Sequence, residues 1–341
     1  MSFEHMNQSI FYDDTVIKSF NVCVAFKDRF SSTNGMDWDK TGEVMVNSSF
    51  DKTLYIYSVN KSCVTNVLQS KKHGVELVKF TSEGPKHILC SSGKESQNGK
   101  FYKIHTNYNL YIIIKLCLVS VRLWDIVENR YVKSFSLNTH LSRGVGIVSH
   151  PNRNMMMTNC SDGTVSVYSL DNTTPIMNYT SPGTSVAAFD YDGLIIGKYN
   201  GSGSTSKTFS LYDLNKPQSP FKTFDISNVL KRTEEVNSVL FNPNGRLAIL
   251  GTNFKRLICI NTVNGSAIFA CCYGDIPASK STESDICYPA ISPDGKYLIS
   301  GCTDNIGPPA FVAFNPRKAM ISSACIKVAW WIPNMKTETQ E

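Results

Sequence analysis

The hydrophobic positions of this chain fall in short runs that are separated by polar turns. Within the runs, β-branched and aromatic residues recur at alternate positions, as in TLYIYSV, TVSVYSL and TFSLYDL. The turns contain Gly, Pro, Asn or Asp, which preset or permit the backbone angles of tight turns. This period of two predicts antiparallel β-strands that are joined by hairpins.

The unit of turn, strand, turn and strand recurs along the chain. Its turns share Pro, Gly or Asn, and in chain order they are residues 39–42, 81–84, 150–153, 190–193, 242–245, 292–295 and 315–318. Seven such turns predict seven units of four strands, and repeats of about 40 to 45 residues in an all-β chain are typical of propeller blades. We therefore predict one seven-bladed β-propeller over residues 15–334, with tails at 1–14 and 335–341.

A Trp-Asp pair and turn carboxylates specify the type of propeller. Trp124 and Asp125 end a predicted strand, as the pair does in WD repeats. Asp51 and Asp162 lie in hairpin turns, where a carboxylate accepts backbone or His hydrogen bonds and ties adjacent strands together. His140 precedes an inner strand, and we expect it to bond to a turn carboxylate such as that of Asp162. Because Trp-Asp ends only this one of the second strands of the predicted hairpins, the predicted WD repeats are degenerate.

Two irregularities interrupt the repeat spacing. Residues 84 and 153 are farther apart, and residues 295 and 318 closer together, than the other landmarks. Removal of residues 99–120 restores one ordinary blade, so we predict an insertion in blade two. We interpret this segment, which contains no acidic residue, as a retained intron or a gene-model error, and sequencing of the mature transcript tests that interpretation. Blade six is predicted to be truncated, with two strands missing after Asn305.

The predicted propeller has its first and last strands in one blade. Residues 15–22 are expected to form the outer strand of the last blade, which closes the ring and removes two free edges. On the last strand, alternation should place one of Trp330 and Trp331 in the core, and we expect Trp330 to be structural.

Composition and motifs narrow the function. The apolar run 110–119 is shorter than the about 20 residues of a membrane helix, and the first residues do not form a secretory signal. A net charge of +6 without a long basic run does not indicate direct nucleic-acid binding. The 11 cysteines are expected to be free thiols, without zinc-site spacing. No nucleophile or metalloprotease motif is present, so no catalytic residue, metal or cofactor is predicted.

Three stretches carry a resemblance to one WD-repeat family: residues 70–77 (SKKHGVEL), 16–20 (VIKSF) and 323–333 (SACIKVAWWIP). They resemble the propeller subunit shared by the COMPASS-type histone methyltransferase complex and a nuclear phosphatase/RNA 3′-end-processing complex. The resemblance implies a non-catalytic nuclear scaffold that joins the methyltransferase catalytic subunit and supports trimethylation of lysine four on histone H3. It also implies contact with the phosphorylated tail of RNA polymerase II.

Three alternatives stay open at this point. The chain could serve the phosphatase and transcription-termination complex alone. It could instead be the substrate receptor of a ubiquitin ligase. A propeller enzyme with a polar site in its central channel would need clustered carboxylates or metal ligands, and the predicted inner strands contain few.

The candidate partner-binding residues are basic. Lys71, Lys72 and His73 precede the inner strand of blade two, and such loops lie at one rim of a propeller's central channel. Because Lys pairs with phosphate oxygens, the cluster is a candidate for binding an acidic or phosphorylated peptide. Arg143 occupies the equivalent loop before blade three and is a further candidate.

Overall fold

A computed structural model describes the chain over residues 12–27, 31–92, 101–105, 111–115, 119–137, 139, 141, 146–201, 206–272, 288–301 and 311–334. Residues 101–105 and 111–115 are described by their backbone alone. Within these ranges the structure is a set of antiparallel sheets with one short helix, α1 (Asp14–Lys18). The predicted all-β class is confirmed.

Six sheets have four strands each and form the complete blades. From the inner strand outward they are blade one, β2 (Thr33–Trp38), β3 (Val44–Ser49), β4 (Thr53–Ser58) and β5 (Cys63–Gln69); blade two, β6 (Val78–Thr81), β7 (Gly84–Ser91), β10 (Ser120–Asp125) and β11 (Arg130–Ser136); blade three, β12 (Ile147–Ser149), β13 (Met155–Asn159), β14 (Val165–Ser169) and β15 (Pro175–Tyr179); blade four, β16 (Ser185–Phe189), β17 (Ile195–Gly201), β18 (Lys207–Asp213) and β19 (Lys222–Asp225); blade five, β20 (Val236–Phe241), β21 (Leu247–Thr252), β22 (Arg256–Asn261) and β23 (Ala267–Cys272); and the closing blade, β26 (Phe311–Phe314), β27 (Ile321–Ala324), β28 (Val328–Pro333) and β1 (Phe20–Phe26).

Two further sheets have only two strands. One consists of β24 (Pro289–Ile291) and β25 (Leu298–Ser300) and is called the half-blade here; the other is the hairpin β8 (Phe101–His105) and β9 (Tyr111–Lys115). The half-blade lies between blade five and the closing blade, because β24 contacts both β20 and β26. The described residues thus contain six blades, and the seven blades predicted from the sequence are not confirmed.

The closing blade unites the two ends of the described chain. Strand β1 pairs antiparallel with β28, from Phe20 opposite Pro333 to Phe26 opposite Val328, so the predicted closure is confirmed. The predicted strand bounds were wrong, since residues 14–18 are helical. The Asp13 side chain caps this helix by accepting a hydrogen bond from the Val16 backbone at 2.7 Å.

The predicted tail at 1–14 ends earlier than expected. Tyr12 is buried, and its hydroxyl donates to the Lys318 carbonyl of the closing blade at 3.3 Å. Its ring packs edge-on against Phe314 at 5.6 Å between centroids. Tyr12 therefore belongs to the fold and not to a tail. Residues 335–341, the other predicted tail, lie outside the described residues.

Blade two is continuous across the long segment that interrupts it in sequence. Strand β7 pairs directly with β10, with Ser91 opposite Val121. The backbone N–H of Ser92 donates to the Ser120 carbonyl at 2.9 Å, which brings the two ends of the segment together. Ser120, which we assigned to the insertion, is the first residue of β10 and pairs with Ser136. The segment after Asn305 that we predicted to be shortened begins within 302–310, outside the described residues.

Hydrogen bonds between neighbouring turns tie the blades on one face of the ring. The Asn315 amide donates to Gly42 O at 2.8 Å, and the Asn242 amide donates to Gly295 O at 2.6 Å. His150 contacts Gly193 O through Nε2 at 2.9 Å. Because the half-blade's Gly295 takes part like the glycines of complete blades, the half-blade occupies a position in the ring.

An ionic network joins blades four and five. Glu234 is fully buried and accepts hydrogen bonds from Arg256 Nη1 at 2.6 Å and from Thr252 Oγ1 at 2.7 Å. Lys207, also buried, lies 3.4 Å from a Glu235 oxygen and donates to the backbone carbonyls of Lys231 and Arg232 in the loop between the two blades. The sequence analysis did not identify these charges, which fix the loop between the two blades.

Lys198 is a buried cation of a different kind. Its side chain donates to Ser181 Oγ at 2.8 Å and lies over the Tyr179 ring, 5.5 Å from the centroid. Within the described residues no carboxylate lies within ion-pair distance of it. Burial lowers the pKa of Lys198 to about 8, because the charged form loses its hydration.

Lys198→Met should therefore stabilise the protein by about 1 to 2 kcal/mol at pH 7. The folded-state pKa of about 8 lies below the roughly 10.4 of an unfolded lysine, so the unfolded state binds more protons between these values. The wild type gains stability as pH rises through that window, and the advantage of the variant should shrink. Urea denaturation of both proteins at pH 7.5 and 10 measures this. The matched control is Lys61→Met at an exposed position. If Lys198→Met is less stable than the wild type at pH 7.5, or if the difference in stability does not change with pH, the prediction is contradicted.

Candidate partner-binding site

The loop between blades one and two presents its basic residues through a tight turn. The Gly74 N–H donates to Ser70 O at 2.8 Å, and the Ser70 hydroxyl donates to Gly74 O at 2.9 Å. Gly74 has φ of 70°, a left-handed conformation that residues with a Cβ rarely adopt. The turn leaves Lys71 and Lys72 exposed.

Tyr131 of blade two supports this loop. Its hydroxyl lies 2.7 Å from Ser70 Oγ, and because that hydroxyl already donates to Gly74, Tyr131 is the donor. The His73 ring meets the Tyr131 ring edge-on at 5.7 Å between centroids. The aromatic contact fixes His73 beside the two lysines.

A guanidinium lies behind the same tyrosine. Arg122 Cζ is 5.6 Å from the centroid of the Tyr131 ring, and Arg122 Nη1 is buried without a hydrogen-bond partner among the described residues. Burial lowers the pKa of the Arg122 guanidinium, while Cys90 and Tyr131 act in the opposite sense. An arginine nevertheless stays protonated at neutral pH, so its charge adds to that of the loop.

We call this surface the 71–73 patch: Lys71, Lys72, His73, Tyr131 and Arg122. Sequence reasoning found the first three and missed the last two. Arg122 could have been noticed as a charged residue within the apolar strand VRLWDI. Tyr131 carried no such signal, because only the pairing of β10 with β11 brings it opposite Trp124.

The other predicted partner-binding residue cannot be placed beside the patch. Arg143 lies outside the described residues. His140 does as well, so its hydrogen bond to Asp162 stays a prediction. Asp162 itself accepts from the Thr164 N–H at 2.9 Å. Asp51 similarly accepts from Thr53 N–H at 2.9 Å, so both carboxylates lie in hairpin turns.

Asp125 has a buried carboxylate with several partners. It accepts from the N–H groups of Val127 at 3.0 Å and Glu128 at 2.9 Å, and lies 3.4 Å from Lys86 Nζ. The hydrogen bond from the Glu128 backbone, with those from Lys86 and Val127, lowers the pKa of Asp125, and burial opposes it. Asp125 thus holds the turn from β10 to β11 in its ionised form.

The two predicted structural tryptophans are buried at blade contacts. Trp124 packs against Tyr131 with 4.9 Å between ring centroids. Trp330 is fully buried and lies 4.8 Å from Phe26 and 5.8 Å from Trp38, so it joins the closing blade to blade one.

The described ranges contain neither a metal site nor a membrane-spanning helix. No cluster of His, Cys, Asp or Glu side chains there could hold a metal ion. No described helix has the length and apolar character needed to cross a membrane. The 71–73 patch instead has the exposed lysines, the aromatic support and the buried guanidinium of a surface suited to anionic peptides.

Comparison with known proteins gives relatives over nearly the whole chain. No protein-family model matches. WD repeat-containing protein 82 of Drosophila melanogaster is 24% identical over 94% of this chain and 96% of its own. Set1 complex component swd2 of Schizosaccharomyces pombe is 25% identical over 78% of this chain and 67% of its own. COMPASS component SWD2 of Saccharomyces cerevisiae is 21% identical over 89% of this chain and 82% of its own. By its fold this chain is a WD-repeat β-propeller protein, and it is similar over most of its length to these Swd2 components.

Proposed function

We propose that the chain is a non-catalytic scaffold subunit of a COMPASS-type complex that methylates lysine four of histone H3 in the nucleus. The observation that carries the proposal is the similarity over most of the chain to two proteins named as Set1 and COMPASS components. The propeller supports it, because blades present several loop surfaces that can hold different partners at once. On this account one partner is the catalytic methyltransferase subunit.

Depletion of the chain in its native cells tests this function. Trimethylation of lysine four on histone H3 should fall at active promoters and return when the chain is re-expressed. Unchanged trimethylation with transcripts that read through their normal ends would favour the phosphatase and termination complex. Unchanged trimethylation, together with slower degradation of target proteins and copurification of ligase subunits, would favour a ubiquitin-ligase receptor.

The 71–73 patch is the proposed contact with the phosphorylated tail of RNA polymerase II. Lys71 and Lys72 are exposed donors for phosphate oxygens, and the Arg122 charge lies against the Tyr131 ring. Tyr131 holds the loop in place, so binding does not need to order it. Arg143, from the next such loop of the ring, is proposed to extend the same contact.

The double variant Lys71→Glu/Lys72→Glu should bind a phosphorylated tail peptide at least about tenfold more weakly than the wild type. Each substitution replaces an attraction between a lysine and the phosphorylated peptide by a repulsion, so the salt dependence of binding should also decrease. Fluorescence anisotropy with phosphorylated and unphosphorylated peptides measures this. Lys61→Glu, an exposed lysine in the β4–β5 turn at the other end of blade one, is the matched control and should change affinity less than twofold. Equal loss in the control, or none in the double variant, would remove the patch from the contact.

A further inference from the structure

A pocket lies where the inner strands of four neighbouring blades turn into their second strands. Its described walls come from the closing blade and from blades one, two and three, and its volume is about 270 Å³. In each of these blades the chain is described without a gap from the inner strand through the turn to the second strand. We call it the turn pocket, and its described walls include Phe80, Ser82, Ser149, Pro151, Phe314 and Pro316.

The walls of the turn pocket are largely apolar. Phe80 and Phe314 belong to inner strands, and Pro151 and Pro316 belong to the turns that follow such strands. The Ser149 hydroxyl is buried in the wall and has no hydrogen-bond partner among the described residues. The volume lies just below the about 300 to 1,000 Å³ of typical small-molecule sites. The pocket therefore suits one large apolar side chain of a peptide, whose backbone can offer the hydroxyl a partner.

The interior of the turn pocket carries no unbalanced negative charge. Asp37, the one acidic side chain among the described wall residues, lies 2.9 Å from Lys79 Nζ. His150, another wall residue, accepts a hydrogen bond at Nδ1 from the Arg153 backbone at 2.8 Å, and its Nε2 lies 2.9 Å from Gly193 O. A ring that accepts at one nitrogen and donates at the other is neutral. An anionic ligand thus meets no repulsion from these walls.

Three exposed cations surround the opening of the turn pocket: Lys40, Arg153 and Arg317. Hydrogen bonds between neighbouring turns hold them there. Lys40 Nζ donates to Ser82 O at 2.5 Å, and Arg317 Nε donates to Lys40 O at 3.3 Å. Ser82 Oγ in turn donates to Arg153 O at 2.7 Å. The turns of four blades thus form one linked rim, which we call the cationic rim.

No described carboxylate neutralises the cationic rim. None of its three residues takes part in an ion pair within the described ranges. The carboxylates of the same turns have other partners. Glu43 lies 2.8 Å from Lys318 Nζ, Glu83 lies 3.6 Å from His87 Nδ1, and the buried Asp39 accepts hydrogen bonds within its own turn. The rim therefore keeps three positive charges for a ligand.

We propose that the turn pocket binds an acidic peptide segment of a partner protein. One large apolar side chain of the segment fills the pocket, and the carboxylates on either side of it pair with the cationic rim. Arginine forms two parallel hydrogen bonds with a carboxylate, and lysine adds a point charge. The cations encircle a concave pocket, whereas single-stranded nucleic acid is bound by a positive groove that follows its backbone. The shape of the rim thus favours a peptide.

The turn pocket is separate from the 71–73 patch. The loop of that patch leads into strand β6, and the turn that contains Ser82 leaves the same strand at its other end. Two partners can therefore be bound at the same time, one at each end of the strand. The turn pocket has no part in the proposed polymerase contact or in histone methylation, so this proposal and the proposed function stand or fall separately.

Fluorescence anisotropy tests the proposal on the full chain with a labelled peptide, EEEFEEE, at about 0.1 M salt. The wild type should bind it with a Kd below about 100 µM. The variant Arg153→Glu/Arg317→Glu should bind at least about tenfold more weakly, because each glutamate replaces an attraction to the peptide by a repulsion. The peptide EEEAEEE should bind the wild type at least about fivefold more weakly, because its alanine leaves the pocket unfilled.

The charge-matched control is Lys71→Glu/Lys72→Glu, which changes the net charge by the same amount and should alter affinity less than about twofold. Circular dichroism checks that the variants are folded. If the double variant of the rim does not fold, Arg153→Glu alone replaces it, since the Arg153 side chain makes no described hydrogen bond. It should weaken binding at least about threefold.

Four results would overturn the proposal. The first is a wild type that does not bind EEEFEEE at about 1 mM. The second is a loss of affinity in the control as large as in the variant of the rim. The third is binding by a chain that lacks residues 1–11 but not by the intact chain, because those residues would then cover the pocket. The fourth is tighter binding of an oligothymidine that depends on Arg153 and Arg317, because the rim would then be a nucleic-acid site.

Discussion

A chain that lacks residues 1–26 should melt about 10 °C below the intact protein and aggregate on heating. The deletion removes β1, which supplies every outer-strand pairing of the closing blade. Phe26 is lost with it, and its ring lies 4.8 Å from both Trp330 and Tyr57. Loss of a buried aromatic side chain of this kind costs about 3 to 5 kcal/mol, and the exposed edge of β28 adds a site for aggregation.

The matched control for this deletion is removal of residues 1–11 only. That chain keeps Tyr12, the Asp13 cap and all of β1, so its melting temperature should stay within about 2 °C of the intact protein. Differential scanning fluorimetry with light scattering measures both. If the deletion of 1–26 melts like the control, the N-terminal strand does not hold the ring closed.

Glu234→Ala should lower the free energy of unfolding by about 3 to 5 kcal/mol. The carboxylate is fully buried and accepts hydrogen bonds from Arg256, Thr252 and the Lys231 backbone. Its removal leaves the Arg256 guanidinium, whose side chain is only 17% exposed, without its counter-charge. An unpaired buried charge costs more than the pair contributes, because the lost hydration is not replaced.

Two comparisons make this result specific. The double variant Glu234→Leu/Arg256→Leu removes both charges and should be more stable than Glu234→Ala. Glu128→Ala breaks the exposed ion pair with Arg130 and should cost less than about 1 kcal/mol. Urea denaturation of the variants gives the values. A cost for Glu234→Ala as small as that of Glu128→Ala would show that the network does not stabilise the contact between blades four and five.

The sequence predicted the architecture well because the architecture depends on local signals. Alternating apolar residues and Pro, Gly and Asn turns set the strands, and the recurrence of the turns set the ring. The same arithmetic located the long step in blade two, and the predicted loss of strands after Asn305 stays a prediction. The turn count did not give the six complete blades of the described residues, since it assumes that each landmark is followed by four strands, and only two strands of the half-blade are described.

The partner-binding patch was only partly predictable, for a different physical reason. Lys71, Lys72 and His73 are neighbours in sequence and stand out as a cluster. Tyr131 and Arg122 join them through pairing in blade two and through its contact with blade one, which no local pattern records. Glu234 and Arg256 were missed likewise, because their charges look like ordinary surface residues until the packing of blade four against blade five buries them.

The helix α1 shows where local signals competed. Residues 16–20 carry β-branched and aromatic residues and were predicted to form a strand with their neighbours. Asp13 and Asp14 at the start of the helix and Lys18 at its end favour one turn of helix instead, with the strand beginning at Phe20. The helix also places Asp14 within 2.7 Å of the Tyr297 hydroxyl, which ties it to the half-blade.

Purification of the tagged chain from its native cells, followed by mass spectrometry, tests the central claim most directly. It is compared with a chain that lacks residues 99–119 and has two outer strands restored to the half-blade. The account predicts that the catalytic methyltransferase subunit and its partners copurify with both chains, or with the repaired chain alone if the half-blade limits assembly. Recovery of phosphatase or ligase subunits by both chains, with no methyltransferase subunit, would contradict it.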